Sequence, residues 1–411
     1  MINRVSTASQ YQSLTSNLMR KQGELNTSNE HLATGRRVLT AGDDPVSSVM
    51  IQNYRQEQTL ITQYQDAITL ATNRMNVTES TLTGVENNLD VTKQKVIRMI
   101  NGAMAAEDRS AFKDELQSLY DELLGLANTQ DESGNYIFAG TQSATKPFMQ
   151  NGQTPPTIVY QGDDQARHSQ IDKNLEVKTS LTGNDVFMAI PNPYGDYRPD
   201  FSGLQPDSQL HVLTATNSNP NDSNNYSVKF VDNAGVMEYQ LYQGDPTTGV
   251  LLDQNTYDPT VGVNFDLAAA GGAGTLDFQF DGEIKLGDSV ALTPSKTFNV
   301  LDSLQDAINN AEQPTSSAEG NANLQRVIDD LNGAFIHMNQ QRSQVGSVLQ
   351  TLDRQGEQHK DFELTLNKAQ SGLEDLDYSK AIIDMNEQSM ALQASQAAFN
   401  KTKELTLFNY L

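Results

Sequence analysis

Seam positions in the stretch 61–99 step by three and four without a break. Positions 61, 64, 68, 71, 75, 78, 82, 85, 89, 92, 96 and 99 read Ile, Tyr, Ile, Ala, Met, Thr, Leu, Val, Leu, Thr, Val and Met. That spacing, held this long, predicts a coiled-coil seam rather than an ordinary surface helix. At a rise of 1.5 Å per residue the helix would run roughly 57 Å. Gly84 lies off the seam, whereas Thr78 and Thr92 are polar positions on it, placed to fix register. A lone helix cannot bury such a stripe, so a partner helix is required. Leu324, Ile328, Leu331, Phe335, Met338, Arg342, Val345, Leu349 and Leu352 keep the same spacing. Phe362, Leu366, Ala369, Leu373 and Leu376 carry that stripe onward past Gly356. Asn323 is a candidate cap for this second helix. The two stripes are expected to pack antiparallel, with Leu82, Leu89 and Leu349 inside.

The intervening chain changes period. Asn101-Gly102 breaks the first helix, and Phe112, Leu116, Leu119, Leu123 and Leu126 give a second helical face over 109–128. Together they predict an antiparallel helical hairpin. Segments 136–140 and 157–160 are short strand candidates beside it. Between 191 and 296, Pro, Gly, Asn and Asp turns separate short alternating segments. Strands are expected over 211–216, 226–231, 237–242, 276–280, 289–292 and 297–300, and 268–274 is expected to be a turn. Period two with a polar opposite face argues an antiparallel β domain. Leu301, Leu304 and Ile308 form a short helical face ending near Pro314. The predicted fold class is mainly α with an inserted β domain. A long antiparallel helical rod is formed by the N- and C-terminal segments, with small β elements beside it. The expected divisions are 1–45 with 377–411 as terminal helices, 46–190 with 297–376 as the rod, and 191–296 as the insert. The insert is expected to be removable without unfolding the rod.

Both ends carry thin apolar stripes. At one end these are Val5, Leu14, Leu18, Leu25 and Leu32; at the other, Tyr378, Ile382, Met385, Leu392 and Phe399, with Ala391, Ala394, Ala397 and Ala398 permitting close contact. Leu405, Leu407, Phe408, Tyr410 and Leu411 make the tail unusually apolar. Stripes this thin do not offset the ordering cost of a lone helix. Residues 1–43 and 377–411 are therefore expected to be disordered or weakly helical in a lone chain and to pair only on assembly. Leu14, Leu18, Leu392, Phe399, Phe408 and Leu411 are the candidate assembly interface. In Thr40-Ala41-Gly42-Asp43-Asp44-Pro45 the first stripe stops. Gly42 permits a tight turn, Asp44 can cap the next helix, and Pro45 suits its first position. Adjacent carboxylates could also suggest acid chemistry, but capping explains Asp43 and Asp44 more simply.

Charge and chemistry narrow the function. The formal charge of −24 argues against binding nucleic acid or an anionic membrane. There is no Cys, hence no disulfide and no thiolate chemistry. No cleavable signal peptide and no membrane-length apolar run is recognised. His31, His168, His211, His337 and His359 are scattered without metal-ligand spacing and read as surface or helix-face residues. Asp277, Asp281, Glu283 and Asp288 lack the spacing of a helix-loop-helix calcium site. No nucleophile elbow, phosphate loop or dinucleotide fingerprint occurs. The expectation is therefore no catalytic, cofactor-binding or metal residue and no enzyme activity. The alternative is an exterior glycan-binding or hydrolytic protein acting through 191–296.

Several motifs occur in order at both ends. Leu32-Ala33-Thr34-Gly35-Arg36-Arg37 followed by Ala41-Gly42-Asp43-Asp44-Pro45 resembles the N-terminal pattern of the bacterial flagellin family. It departs from many members at Val38-Leu39, where they have Ile-Asn. Within the family the hook-associated members are the most similar. The segments that carry this are Met1-Ile2-Asn3-Arg4-Val5, Tyr136-Ile137-Phe138-Ala139-Gly140, and Tyr160-Gln161-Gly162-Asp163-Asp164 with Arg167 and Ile171. Leu392-Gln393-Ala394-Ser395-Gln396-Ala397-Ala398-Phe399 and Leu407-Phe408-Asn409-Tyr410-Leu411 carry it at the other end. The resemblance covers 1–190 and 297–411 and implies a structural role outside the cell. It implies export through the flagellar type III apparatus without signal cleavage, with a chaperone, FlgN, on the C-terminal region. It implies a chain that is a monomer in isolation and assembles as a ring of about eleven subunits at the hook–filament junction. The ring would meet the junction protein FlgK on one side and flagellin on the other. The terminal segments would form an inner helical tube, and the insert would face outward.

Overall fold

The computed structural model describes residues 7–101, 106–152, 157–311, 313 and 317–404. Six helices carry the chain: α1 Thr7–Thr34, α2 Pro45–Asn101, α3 Ala106–Ala127, α4 Val300–Asn310, α5 Ala318–Glu374 and α6 Tyr378–Glu404. The chain divides into two compact units. One holds the described residues up to Asp66 and from Arg354 onward; the other is Ala67–Asp353. Helices α2 and α5 contribute to both.

In Ala67–Asp353 the seam on α2 is buried throughout: Ile68, Ala71, Met75, Leu82, Val85, Leu89, Val96 and Met99 all lie in one core. Leu324, Leu331, Met338, Val345 and Leu352 of α5 join it, with Leu349 half-buried at its margin. The helices run antiparallel. Arg342 pairs with Glu79 at 3.3 Å and with Glu86, while Lys93 lies 5.9 Å over the Phe335 ring. Thr78 and Thr92 do not fix register across the interface. Each hydroxyl donates to the carbonyl four residues back, at Arg74 and Asn88, and so satisfies itself inside its own helix. Helix α3 returns antiparallel along α2, with Asn88 donating to the Leu119 carbonyl at 3.0 Å. Gly84 lets Leu126 close on the α2 backbone.

Three expectations about these elements are corrected. Helix α5 starts at Ala318, and Asn323 is interior; the Ser317 hydroxyl accepts from Gly320 N–H at 3.0 Å and takes the capping role. In the other unit the α5 stripe runs through Gln355, His359 and Leu366, leaving Phe362 46% exposed. His359 stacks on Tyr64, with ring centroids 5.6 Å apart. His337 is also buried and bonds the Asp185 carbonyl at 2.7 Å, so of the surface or helix-face readings these two histidines take the helix-face one. Residues 136–140 form turns rather than a strand. Isolated bridges join Tyr136 to Gln130 and Ala139 to Thr182.

That segment is nonetheless tightly built. Asp163 accepts from Thr141 N–H at 2.8 Å and from the Thr141 hydroxyl. The Tyr160 hydroxyl donates to the carbonyls of Phe138 and Asp163. Gly140, at φ +67°, lies so close to Asp163 that any side chain would strike it. The two motifs around Phe138 and Tyr160 therefore hold one another. Phe138, Phe148 and Phe187 pack edge to face beneath them, joined to the α2–α5 core. Short hairpins flank this knot: β1 Phe148–Gln150 with β2 Ile158–Tyr160, and β3 His168–Asp172 with β4 Leu175–Lys178.

The inserted region is all antiparallel between named strands. Strand β5 Ile190–Pro191 pairs with β14 Thr297–Phe298 where the chain enters and leaves. Between them lie β6 Tyr197–Gly203, β7 His211–Asn217, β8 Tyr226–Asn233, β9 Val236–Gln243, β10 Val250–Thr256, β11 Val263–Asp266, β12 Thr275–Asp281 and β13 Ser289–Pro294. They form a five-stranded sheet in the order β10-β9-β8-β13-β6 and a three-stranded sheet in the order β11-β12-β7. Alternation sets the inner faces: Tyr226, Val228 and Phe230 on β8, and Leu276, Phe278 and Phe280 on β12, are buried. Phe230 meets Phe280 edge to face at 5.5 Å, bringing the two sheets together. Leu267–Ala270 is a short helical turn ended by Gly271 at φ 78°, as expected for a turn there. Asp288 is fully buried and accepts from Gln205 N–H, the Ser208 hydroxyl and Lys285 N–H at 2.6–2.7 Å, so it staples loops.

Candidate functional site: the terminal helices and their junction

The unit containing the chain ends is built around α1 and α6, which pack on one another. Tyr11 meets Phe399 edge to face at 5.9 Å, and Ser28 donates to Gln388 at 2.7 Å, which makes the pair antiparallel. Leu14 and Leu18 lie half-buried on α1, Leu392 is buried on α6, and Phe399 is half-buried. Phe408 and Leu411 lie outside the described residues. The expectation that both end segments stay unpaired in a lone chain does not hold for Thr7–Thr34 and Tyr378–Glu404. Each stripe is thin, but the two face each other and cover one another. Covering is partial: Met19 is 71%, Met390 62% and Ile383 57% exposed.

The turn after α1 is held by charge. Gly35, at φ 70°, ends α1 with its N–H on the His31 carbonyl at 2.9 Å. A side chain at Gly35 would meet the Tyr378 hydroxyl at 2.7 Å. The chain then runs antiparallel to the end of α5: Arg37 N–H donates to the Glu374 carbonyl at 2.7 Å and Leu376 N–H to the Gly35 carbonyl at 2.9 Å. The Glu374 carboxylate is buried and faces Arg36 at 3.0 Å, Arg55 at 2.7 Å and the Gln370 amide at 2.6 Å. Arg37 reaches the Leu373 carbonyl, the Ser47 hydroxyl and Asp44.

Asp43 and Asp44 have separate tasks. Asp43 accepts from Thr40 N–H at 2.8 Å and Leu39 N–H at 3.0 Å, and the Thr40 backbone bond foremost holds its carboxyl below the usual range. Gly42 occupies the tip of this turn. Asp44 caps α2 through Ser47 N–H at 3.1 Å and the Ser47 hydroxyl at 2.6 Å, with Pro45 at the first helical position. These bonds, with Arg37, hold Asp44 down at about 2. Both carboxylates are taken up in holding the turn. Sequence reasoning found the turn and missed Glu374, Arg55 and Gln370. A carboxylate that answers an arginine from the far end of the chain leaves no local spacing to read.

Among the described residues no group of three or more His, Cys, Asp or Glu could hold a metal ion. None of the described helices is long and apolar enough to cross a membrane. In the insert, a cavity of about 280 Å³ is lined by Asn219, Asp222, Asn224 and Gln243. Its one carboxylate, Asp222, already accepts from Tyr226 at 2.6 Å and Asn217 at 2.8 Å, so two carboxylates do not converge there.

Comparison with known proteins agrees with this construction. The bacterial flagellin N-terminal helical region matches residues 5–143, and the bacterial flagellin C-terminal helical region matches 328–411. Flagellar hook-associated protein 3 of Salmonella typhimurium is 30% identical over 213 residues, covering 52% of this chain and 65% of the relative. The Escherichia coli (strain K12) protein of that name is 32% identical over 187 residues, covering 46% and 57%. The chain thus spans less than two thirds of the length of these curated relatives. The crystal structure of flagellar hook-associated protein-3 from Legionella pneumophila superposes with a TM-score of 0.65 at 25% identity, covering 79% of this chain and 98% of that one. Helical regions matched at both ends, over 5–143 and 328–411, make one assignment: the chain belongs to the bacterial flagellin family.

Proposed function

We propose that this chain is a structural, non-enzymatic component of the bacterial flagellum. In this reading it polymerises as a ring at the hook–filament junction, between the hook-side junction protein FlgK and flagellin. One observation carries the reading. The terminal unit cannot cover its own apolar surface: Val46 and Val49 on α2, Leu364 on α5, and Met19, Ile383 and Met390 on the terminal helices are all more than half exposed. Open apolar side chains along helices that bury so few of their own suit association. Neighbouring copies would cover it, with Leu14, Leu18, Leu392 and Phe399 at the centre and Phe408 and Leu411 contributing from the tail. The names of the similar hook-associated proteins support the same place in the flagellum.

The proposed divisions follow. Residues 1–45 and 377–411 are the axial-assembly helices, 46–190 and 297–376 the supporting helical part, and 191–296 an outward-facing domain. Residues 42–45 set the angle between terminal helix and α2. The protein works outside the cell after flagellar export, with FlgN covering the apolar C-terminal region beforehand. Nucleic acid and membrane are not partners, in keeping with the charge of −24.

The test deletes residues 402–411 and follows secretion, junction assembly and motility separately. The expected result is a soluble, stable and secreted chain that fails to incorporate between hook and filament. Normal assembly with firmly attached filaments would overturn the reading.

A further inference from the structure

The inserted sheets and helices α4 and α5 meet across a buried ionic network. Asp330 on α5 is fully buried. Arg198 on β6 approaches it with both terminal nitrogens; one of them donates to Oδ1 at 3.0 Å. The Ser303 hydroxyl of α4 donates to Asp330 Oδ2 at 2.8 Å. The Arg198 guanidinium also lies 5.3 Å over the Phe298 ring at the exit from the insert. Beside this pair, Arg326 of α5 donates to the Pro199 carbonyl at 3.1 Å and to Asp306 of α4 at 2.8 Å. The Tyr194 hydroxyl donates to Asp329 at 2.9 Å. Every one of these bonds joins the insert to a helix or one helix to another. Ala322 of α5 completes the join by packing in the core of the insert.

A buried carboxylate stripped of its cation is costly, because the charge has no water to turn to. A bidentate Arg–carboxylate pair also fixes orientation in a way a point charge does not. We infer that Arg198 and Asp330 weld the inserted β region to α4 and α5, so that insert and helices open as one cooperative unit and the insert is held in one pose. A freely hinged insert would instead leave Asp330 exposed to loss of its partner at each opening. The consequence for deletion of 191–296 is direct. It removes Arg198, the Pro199 carbonyl and Tyr194 together, and with them every bond the insert gives to Asp330, Arg326 and Asp329.

Native-state hydrogen exchange on the full chain tests the weld. In the unmodified protein, amides of β8, β13 and α4 should share one opening reaction. In Asp330→Asn, β8 and β13 amides should exchange at least about tenfold faster than those of α4. The double variant Arg198→Met with Asp330→Leu, which removes both charges together, should restore the common opening. Arg198→Lys keeps the charge and loses the fork, and should separate the two sets partially. Should Asp330→Asn fail to fold, the Lys variant and the double variant decide the matter. Independent opening in the unmodified protein, or common opening unchanged in the single variants, would overturn the inference.

Discussion

The two compact units solve burial differently. Ala67–Asp353 contains two complete cores, one along α2, α3, α4 and α5 and one between the inserted sheets. In the terminal unit the buried hydrophobics among the described residues are Val38, Ile51, Ile61, Leu366 and Leu392. Its helices are as long and its pattern as periodic, yet its stripes are narrow and few of their side chains are buried. Periodicity tells where a helix forms; the width of the stripe tells how many partners it needs. The first unit buries two cores within one chain, whereas the second buries little, which is the basis for proposing that it associates with neighbours.

Paired truncations should sharpen that contrast most. Leu82→Ala empties a fully buried seam position and should cost about 2–5 kcal/mol in denaturant unfolding. Leu392→Ala, on the narrow terminal interface, should leave that main transition nearly in place and reduce ring formation instead. A main-transition loss for Leu392→Ala equal to that of Leu82→Ala would erase the distinction between the units.

A smaller effect is expected at the junction. Glu374→Ala removes a carboxylate that anchors two arginines and an amide. Arg36 and Arg55 are about half exposed and can turn to water, so the cost should be about 1–2 kcal/mol. It should show as faster exchange of α1 and α6 amides, with the α2–α3 core unchanged. Loss of protection throughout both units would contradict this.

The smallest effect is one of pH, and its sign differs between the turn at 39–48 and the carboxyls of α4 and neighbouring α5. Asp44 is held below its unfolded value, so its contribution is present above about pH 4 and fades as pH falls toward 2. Asp43 acts in the same direction. Asp302, Asp306 and Asp329 are pushed the other way, foremost by burial. Ionised, they oppose folding, and protonation on acidification removes that opposition. Acid should therefore loosen the turn at 39–48 before it loosens α4. NMR titration of the carboxyls, read with amide protection, checks the order; earlier loss at α4 would reverse it.

Much of the helical architecture was legible because a three-four repeat is strong when it lasts for many turns. The seam of α2 matches residue for residue, with Tyr64 alone half-buried. Strands β8, β9, β12 and β13 were legible from alternation. Strands β3, β6 and β10 were not, since His168–Asp172 is nearly all polar, Val250–Thr256 runs three apolar residues into four polar ones without alternation, and Tyr197–Gly203 holds Pro199 and Gly203. At the site, the Asp43 and Asp44 turn showed itself through local chemistry. The stripe past Leu352 misled, because Gln355 and His359 take seam positions that an apolar pattern assigns to Phe362. Glu374 and Asp330 were invisible for a shared reason: each answers an arginine distant in the chain, and sequence spacing records only neighbours.

The proposed dependence of the terminal unit on neighbouring copies can be measured directly, because the chain has no native Cys. Met19→Cys and Met390→Cys, both at exposed positions of the α1–α6 pair, provide unique labels. In the secreted monomer a maleimide should react fully at both. In assembled flagella the expected result is protection of both thiols, with oxidative cross-links formed between subunits. Full labelling at both positions in assembled flagella, without inter-subunit cross-links, would show that this surface stays open and that the terminal unit is not the element of assembly.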